Sequence, residues 1–222
     1  MIELHNIDCM ELMKRYPDNY FDLAIVDPPF GIGNFVQISG NVRGPAVSWN
    51  ESTPPEEYFN DLKRVSKDRI IWGANYYNCF EKDNGAIVWN KGIPEAVDFS
   101  KAEIASCTHH KSVQMINLKW QNINRPCETI HPCQKPVALY RWLLERYAKQ
   151  GDIYSRKKRI LDTHLGSGSS AIAAYQLGYY FVGCELDKDY FQAMQKRVKQ
   201  AMKQTNLFQS VEEKQAEQIK IF

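Results

Sequence analysis

The chain has 222 residues, 44% of them hydrophobic and 24% charged, which fits one globular domain with a full core and room for a small insertion. Its 28 basic and 26 acidic residues leave a net charge of +2, so bulk charge argues neither for nor against nucleic acid and any phosphate binding must come from a local patch. Six cysteines without a CxxC pair speak against a disulfide framework or an ordinary zinc site, and no apolar stretch nears the roughly 20 residues of a membrane span. The expectation is a reduced, cytoplasmic protein that uses neither membrane nor metal.

In chain order, Ile2 to His5 reads as a short strand, Cys9 to about Arg15 as a helix, and the apolar run Phe21 to Val26 as a buried strand. Residues 31–55 carry four glycines and three prolines with little periodicity, which predicts a long loop. Pro54-Pro55-Glu56-Glu57 suits a first helical turn, and that helix should run to about Val65. Arg69 to Gly73, Gly85 to Asn90 and Ala102 to Cys107 read as buried strands, and Val113 to Leu118 as an edge strand. A turn-rich stretch follows to Pro132, and Leu139, Leu143, Leu144 and Tyr147 then share one face of a helix that begins at Pro136. Strand Lys158 to Asp162, a tight turn, helix Ser169 to Leu177 and strand Tyr179 to Glu185 form the clearest βαβ pattern. A last helix spans about Lys188 to Lys203, with 204–222 as a polar tail.

Strands and helices alternating in this way predict an α/β fold: a single domain over 1–222 with a mostly parallel, Rossmann-like sheet covered by helices on both faces. Ligands of such sheets bind at the carboxyl ends of the strands. By this assignment Asp27, the turn after Asp162 and Glu185 all reach that edge.

Asp27-Pro28-Pro29-Phe30 ends the Phe21 to Val26 strand. An acidic side chain, two residues without N–H groups and an aromatic ring offer hydrogen-bond acceptors but few donors. That suits a planar amine such as the exocyclic amine of adenine or cytosine, donating to Asp27 and a prolyl carbonyl while its ring stacks on Phe30. Taken alone, the tetrapeptide also fits, less well, a strand ending in a Pro-Pro turn with one core phenylalanine. Gly166-Ser167-Gly168 lets a ligand approach the backbone, but Ala171 stands where a dinucleotide fingerprint needs its third glycine. Glu185 lies where a carboxylate holds a ribose diol. A nucleoside without phosphates fits better than a dinucleotide, and S-adenosylmethionine is such a ligand.

Asp27-Pro28-Pro29-Phe30, His131-Pro132-Cys133-Gln134-Lys135-Pro136 and Asp162-Thr163-His164-Leu165-Gly166-Ser167-Gly168-Ser169, in that order, resemble the amino-methylating DNA methyltransferases of the permuted β class. The resemblance spans nearly the whole chain. It implies S-adenosyl-L-methionine as cofactor and methyl transfer to a flipped-out base in double-stranded DNA, with Asp27, Pro28, Pro29 and Phe30 as the catalytic residues. Asp8, beside Cys9, looks like the aspartate that accepts from the cofactor adenine, and it is also a natural helix N-cap. Gln134 and Lys135 resemble the residues that hold the methionine carboxylate. Asp162 sits near the methionine end, and Gly166, Ser167, Gly168 and Ser169 line the cofactor, with Glu185 and Leu186 at its ribose. His164 departs from the family pattern, which has an apolar residue there and hence a less polar cofactor wall.

An aspartate at the head of the tetrapeptide implies adenine N6 as the target in this family, where serine is typical of cytosine N4. Cytosine-N4 methylation and an inactive DNA-binding module are the alternatives. Regions 31–55 and 108–130 are expected to grip DNA, through candidates such as Arg43, Lys91, Lys101, His109, His110 and Arg125, with Trp49 and Trp120 among them. The resemblance also implies a bacterial or phage origin and leaves open a homodimer and a companion nuclease of a restriction-modification pair.

Overall fold

The computed structural model describes the chain except residues 34–37, 40–41, 44–49, 98–99, 121–128, 150–156 and 220–222, and gives 38–39, 42–43 and 206–219 by backbone alone. An eight-stranded sheet carries the fold. Its strands are β1 (Ile2–His5), β2 (Phe21–Val26), β5 (Ser66–Trp72), β6 (Gly85–Asn90), β7 (Ala102–Cys107), β8 (Val113–Asn117), β9 (Arg159–Asp162) and β10 (Tyr180–Cys184). They lie in the order β1-β10-β9-β2-β5-β7-β6-β8. Every pairing is parallel except those that β7 makes with β5 and β6. A two-stranded hairpin, β3 (Ile38–Ser39) and β4 (Val42–Arg43), stands apart within the region read as loop.

The helices are α1 (Cys9–Lys14), α2 (Glu56–Val65), α3 (Val137–Tyr147), α4 (Ser169–Gln176) and α5 (Lys188–Ile219). Two apolar layers show why both sheet faces are covered. Leu23, Ile25, Ile70, Trp72 and Ile160 share one layer with Leu139 and Leu143 of α3, Ile172 of α4 and Met194 and Val198 of α5. Ala24, Val26, Ile71 and Leu161 point the other way, toward Leu12 and Met13 of α1 and Tyr58 and Leu62 of α2. Consecutive strand residues thus serve opposite cores, which is why β2 is buried at all six positions.

Of the boundaries that differ from the sequence reading, three have an evident local cause. β5 begins at Ser66, because α2 passes directly into it and Ser66 donates its hydroxyl to the Leu62 carbonyl. Pro136 is the N-cap of α3 rather than its first helical residue. α5 continues to Ile219, past the Lys203 expected as its end; residues after 204 are rich in Gln and Glu, which are good helix formers. Among the described residues, no helix is long and apolar enough to cross a membrane.

The chain runs from β9 outward to β10 on one side and from β2 outward to β5 on the other. The crevice therefore opens where β2 and β9 lie side by side, and both strands deliver their carboxyl ends to it.

Candidate active site

A cleft of about 400 Å³ fills that crevice, with Asp27, Pro28, Pro29 and Phe30 on one wall and His164 to Ser167 with Ser169 on the other. Asp8, Cys9, Glu185 and Leu186 close its far end. Asp8 caps α1, and its Oδ1 accepts from both Met10 N (2.8 Å) and Glu11 N (3.3 Å). Its second oxygen remains for a ligand, so the capping and binding readings are compatible. Glu185 accepts from Gly166 N at 2.8 Å through Oε2 and from Asp187 N at 3.0 Å through Oε1, which fixes its plane beside the glycine turn. Burial raises its carboxyl above the ordinary value against the pull of these N–H donors.

The glycine turn is built from behind. Gly166 and Gly168 both have positive φ, at 48° and 74°. A Cβ on Gly168 would stand 2.6 Å from Met194 Cγ and 2.8 Å from Val198 Cγ2, so close packing against α5 demands glycine there. Gly168 accordingly serves the packing of α4 on α5 and not the cleft wall. Asp162 is likewise beneath the turn: it accepts from His164 N (3.0 Å) and from Ser170 Oγ (2.5 Å) and is almost wholly buried. Burial pushes its carboxyl up to about 7. His164 does not pair with it. The imidazole Nδ1 lies 3.0 Å from Thr163 Oγ1 and the ring packs edge-on to Tyr58, with burial pushing its pKa down to about 4. The polar side chain at this place is therefore a neutral wall.

Asp27 carries the most unusual environment. Its Oδ2 is 2.5 Å from Lys135 Nζ, whereas Oδ1 is buried and has no hydrogen-bond partner among the described residues. Such an acceptor is costly to leave empty. Burial raises the Asp27 carboxyl above its ordinary value against the pull of the Lys135 ammonium, and Glu103 adds to the rise. Lys135 also meets Glu103 Oε2 at 2.9 Å, and Glu103 Oε1 meets Lys91 Nζ at 2.7 Å. Burial would raise Glu103, but the two lysines prevail and hold it down to about 2.

A second cavity, about 460 Å³, adjoins the first across a wall made of Phe30, Cys133 and Lys135. Tyr76, Trp89 and Trp120 give it an aromatic lining, and Asn75, Glu103 and Gln134 give it polar groups. Phe30 stacks on Tyr76 with ring centroids 4.9 Å apart, over a Gly73 whose Cβ would fall 2.4 Å from the ring. Asn50 returns from the long loop to anchor the tetrapeptide, accepting from Phe30 N at 2.8 Å and donating to Gly33 O at 3.1 Å.

Most residues singled out in the sequence converge on the first cleft, and the exceptions are informative. Gln134 faces the second cavity and accepts from Ile130 N at 3.3 Å. Lys135, expected to hold a methionine carboxylate, donates to Asp27 Oδ2 and stands at ion-pair distance from Glu103 Oε2. The Pro28 carbonyl, expected to receive the target amine, already accepts from Tyr77 Oη at 2.5 Å, and the Pro29 carbonyl from the same hydroxyl at 3.0 Å. Lys91 is not a surface phosphate ligand but half of the Glu103 pair. Lys101 donates to the Pro94 and Glu95 carbonyls. Trp49, Arg125 and the side chain of Arg43 lie outside the described residues. Sequence reading missed Glu103, Tyr77 and Asn50; the one available signal was Glu103, a charge set inside an otherwise small and apolar strand.

Comparison with known proteins places these features in context. A family model described as DNA methylase matches residues 79–196, more than half of the chain. YubD of Escherichia coli (strain K12), which carries a methylase name, is 25% identical over 213 residues, covering 89% of this chain and 91% of its own length. The type II methyltransferase M.BglII of Bacillus subtilis is 23% identical over 244 residues, covering 85% and 66%. Among solved structures, the M1.HpyAVI-SAM complex is similar with a TM-score of 0.57 at 21% identity, covering 89% of this chain and all of that one. The cytosine-N4-specific PvuII DNA methyltransferase is similar with a TM-score of 0.56 at 11% identity, covering 92% of each. At these identities the structural likeness speaks for the fold.

Proposed function

The chain belongs to the DNA methylase family, and we propose that it transfers a methyl group from S-adenosyl-L-methionine to the N6 amine of an adenine turned out of double-stranded DNA. The observation that carries this reading is Oδ1 of Asp27: a buried acceptor on the wall of the first cleft, without a donor among the described residues, needs an N–H group, and an exocyclic amine reaching past the shared wall of Phe30, Cys133 and Lys135 supplies one.

The first cleft fits the cofactor. Asp8 and Glu185 offer carboxylates to an adenine amine and a ribose diol, while the turn at Gly166 leaves room along the backbone. S-adenosylmethionine supplies an electrophilic methyl group on a sulfonium when bound. The second cavity, lined by aromatic rings, suits the target base. An aryl amine is a weak nucleophile because its lone pair is delocalised into the ring. Accepting a hydrogen bond at Asp27 Oδ1 favours a more tetrahedral nitrogen, with the lone pair directed away from Asp27. Tyr77 occupies one lone pair of the Pro28 carbonyl and leaves the other for a second N–H. Asp27 then takes the proton that the methylated nitrogen releases, and proximity supplies several kcal/mol of the barrier. The choice of adenine rests on aspartate at the head of the tetrapeptide.

The test is to incubate the protein with labelled S-adenosylmethionine and mixed-sequence double-stranded DNA, then to separate the nucleosides. Label in N6-methyladenine is the expected result. Label confined to N4-methylcytosine would overturn the target, and no transfer to DNA would overturn the reaction. Asp27→Ala should retain cofactor binding and lose transfer.

A further inference from the structure

The wall between the two cavities holds more charge than the acceptor role of Asp27 requires. Lys91, Glu103, Lys135 and Asp27 form a row of alternating sign with gaps of 2.7, 2.9 and 2.5 Å, and their side chains are only 14, 20, 4 and 12% exposed. Each ion taken out of water costs several kcal/mol, so such a row is a poor way to gain stability alone. Its geometry instead constrains Asp27. Strand β7 inserts between β5 and β6 and brings Glu103 Oε2 to 2.9 Å from Lys135 Nζ. A lysine with one partner is a flexible tether. With carboxylates on two sides, and the Phe30 and Trp72 rings 5.8 and 5.5 Å from its Nζ, Lys135 has one place to be.

We infer that Glu103 is a positioning residue for the transfer: it divides the Lys135 ammonium with Asp27, so that one oxygen of Asp27 is gripped while the other is left for the incoming amine. Lys91 sets how strongly Glu103 competes. The inference rests on the reading of Asp27 as the amine acceptor. It predicts that the two ends of the row act on Asp27 with opposite sign. Without the Glu103 charge, Lys135 moves wholly onto Asp27 and lowers its proton affinity. Without the Lys91 charge, Glu103 draws Lys135 harder and the proton affinity of Asp27 rises.

Other titratable groups face the same place. The Tyr77 and Tyr140 phenols and the Cys133 thiol are pushed up by burial, and His131 is pushed down to about 4, so all four are neutral near neutral pH. Asp162 on β9, pushed up to about 7 by burial, is the one that titrates in that range, and it must be resolved from Asp27.

The experiment is a carbon-13 NMR titration of the aspartate carboxyls in the full chain, with the Asp27 signal assigned by its loss in Asp27→Asn, for the wild type, Glu103→Gln and Lys91→Met. The Asp27 midpoint should move down in Glu103→Gln and up in Lys91→Met. In single-turnover assays, Glu103→Gln should slow transfer by about tenfold to a hundredfold while cofactor affinity stays within about twofold, and Glu103→Asp should restore part of the rate. An unmoved Asp27 midpoint overturns the inference, whether or not the rate falls, and so does a wild-type rate in Glu103→Gln. Should Glu103→Gln fail to fold, the upward shift in Lys91→Met decides alone. If the wild type transfers no methyl group to DNA, the proposed function fails visibly and separately from the titration.

Discussion

Lys135→Met should cost the protein about 3–5 kcal/mol near neutral pH, because it strips the shared cation from two buried carboxylates. Lys135 and Lys91 together hold Glu103 down to about 2 against its burial, and the variant keeps only Lys91. The loss should also depend on pH. In the wild type the depressed Glu103 contributes stability above about 4.5, and that contribution disappears as pH falls toward about 2. In the variant, Asp27 and Glu103 stay buried with only Lys91 beside them, so their folded-state values lie above the unfolded ones. The folded variant then binds more protons than the unfolded chain from the raised folded values down to the ordinary carboxylate values of about 4, and gains stability as pH falls through that range. The gap between the two proteins should therefore be widest near about pH 8 and shrink markedly by about pH 5. Urea unfolding at the two pH values measures it. A loss under about 1 kcal/mol, or an equal loss at both pH values, would refute the idea that Lys135 compensates two buried charges.

Three further outcomes follow from single contacts. Gly168→Ala combines a positive φ with a Cβ driven into Met194 and Val198, and should lower stability by about 2–4 kcal/mol in a thermal melt; a change under about 0.5 kcal/mol would show that α5 yields freely. Tyr77→Phe removes the donor to the Pro28 and Pro29 carbonyls, and should cost about 1–3 kcal/mol and slow single-turnover transfer, whereas an unchanged rate would detach Tyr77 from the site. Asp162→Asn should grow more stable relative to the wild type as pH rises. The Asp162 carboxyl, raised to about 7, is neutral when folded below that pH and ionises at a cost above it, so the wild type alone loses a few kcal/mol across about pH 4–8. A stability difference that is flat with pH would contradict this.

The elements that position the site were legible because their signals are local. The largely apolar Phe21 to Val26 run, the glycine turn after Asp162 and the apolar face of α3 each follow from sterics and periodicity within a few residues. The resemblance carried by the three ordered motifs reached the same crevice, and the chain's membership of the DNA methylase family agrees with it. Roles within the motifs were less legible. Lys135 and Asp162 sit in the expected motifs, but one faces Asp27 and Glu103 and the other supports the turn from below. A motif specifies where a residue enters the site and not which of several nearby partners its side chain reaches.

Residue types and spacings alone determined that Asp27 ends a buried strand beside two prolines and that a glycine turn opens a helix after Asp162. Only the tertiary structure decided that Lys135, 108 residues from Asp27, grips one of its oxygens and leaves the other without a partner among the described residues. It also decided that Tyr77 holds the Pro28 carbonyl from 49 residues away. The physical reason is strand order. Which strands become neighbours depends on how two faces of one sheet are covered at once, and the antiparallel insertion of β7 that brings Glu103 to Lys135 leaves no trace in the spacing of residues along the chain.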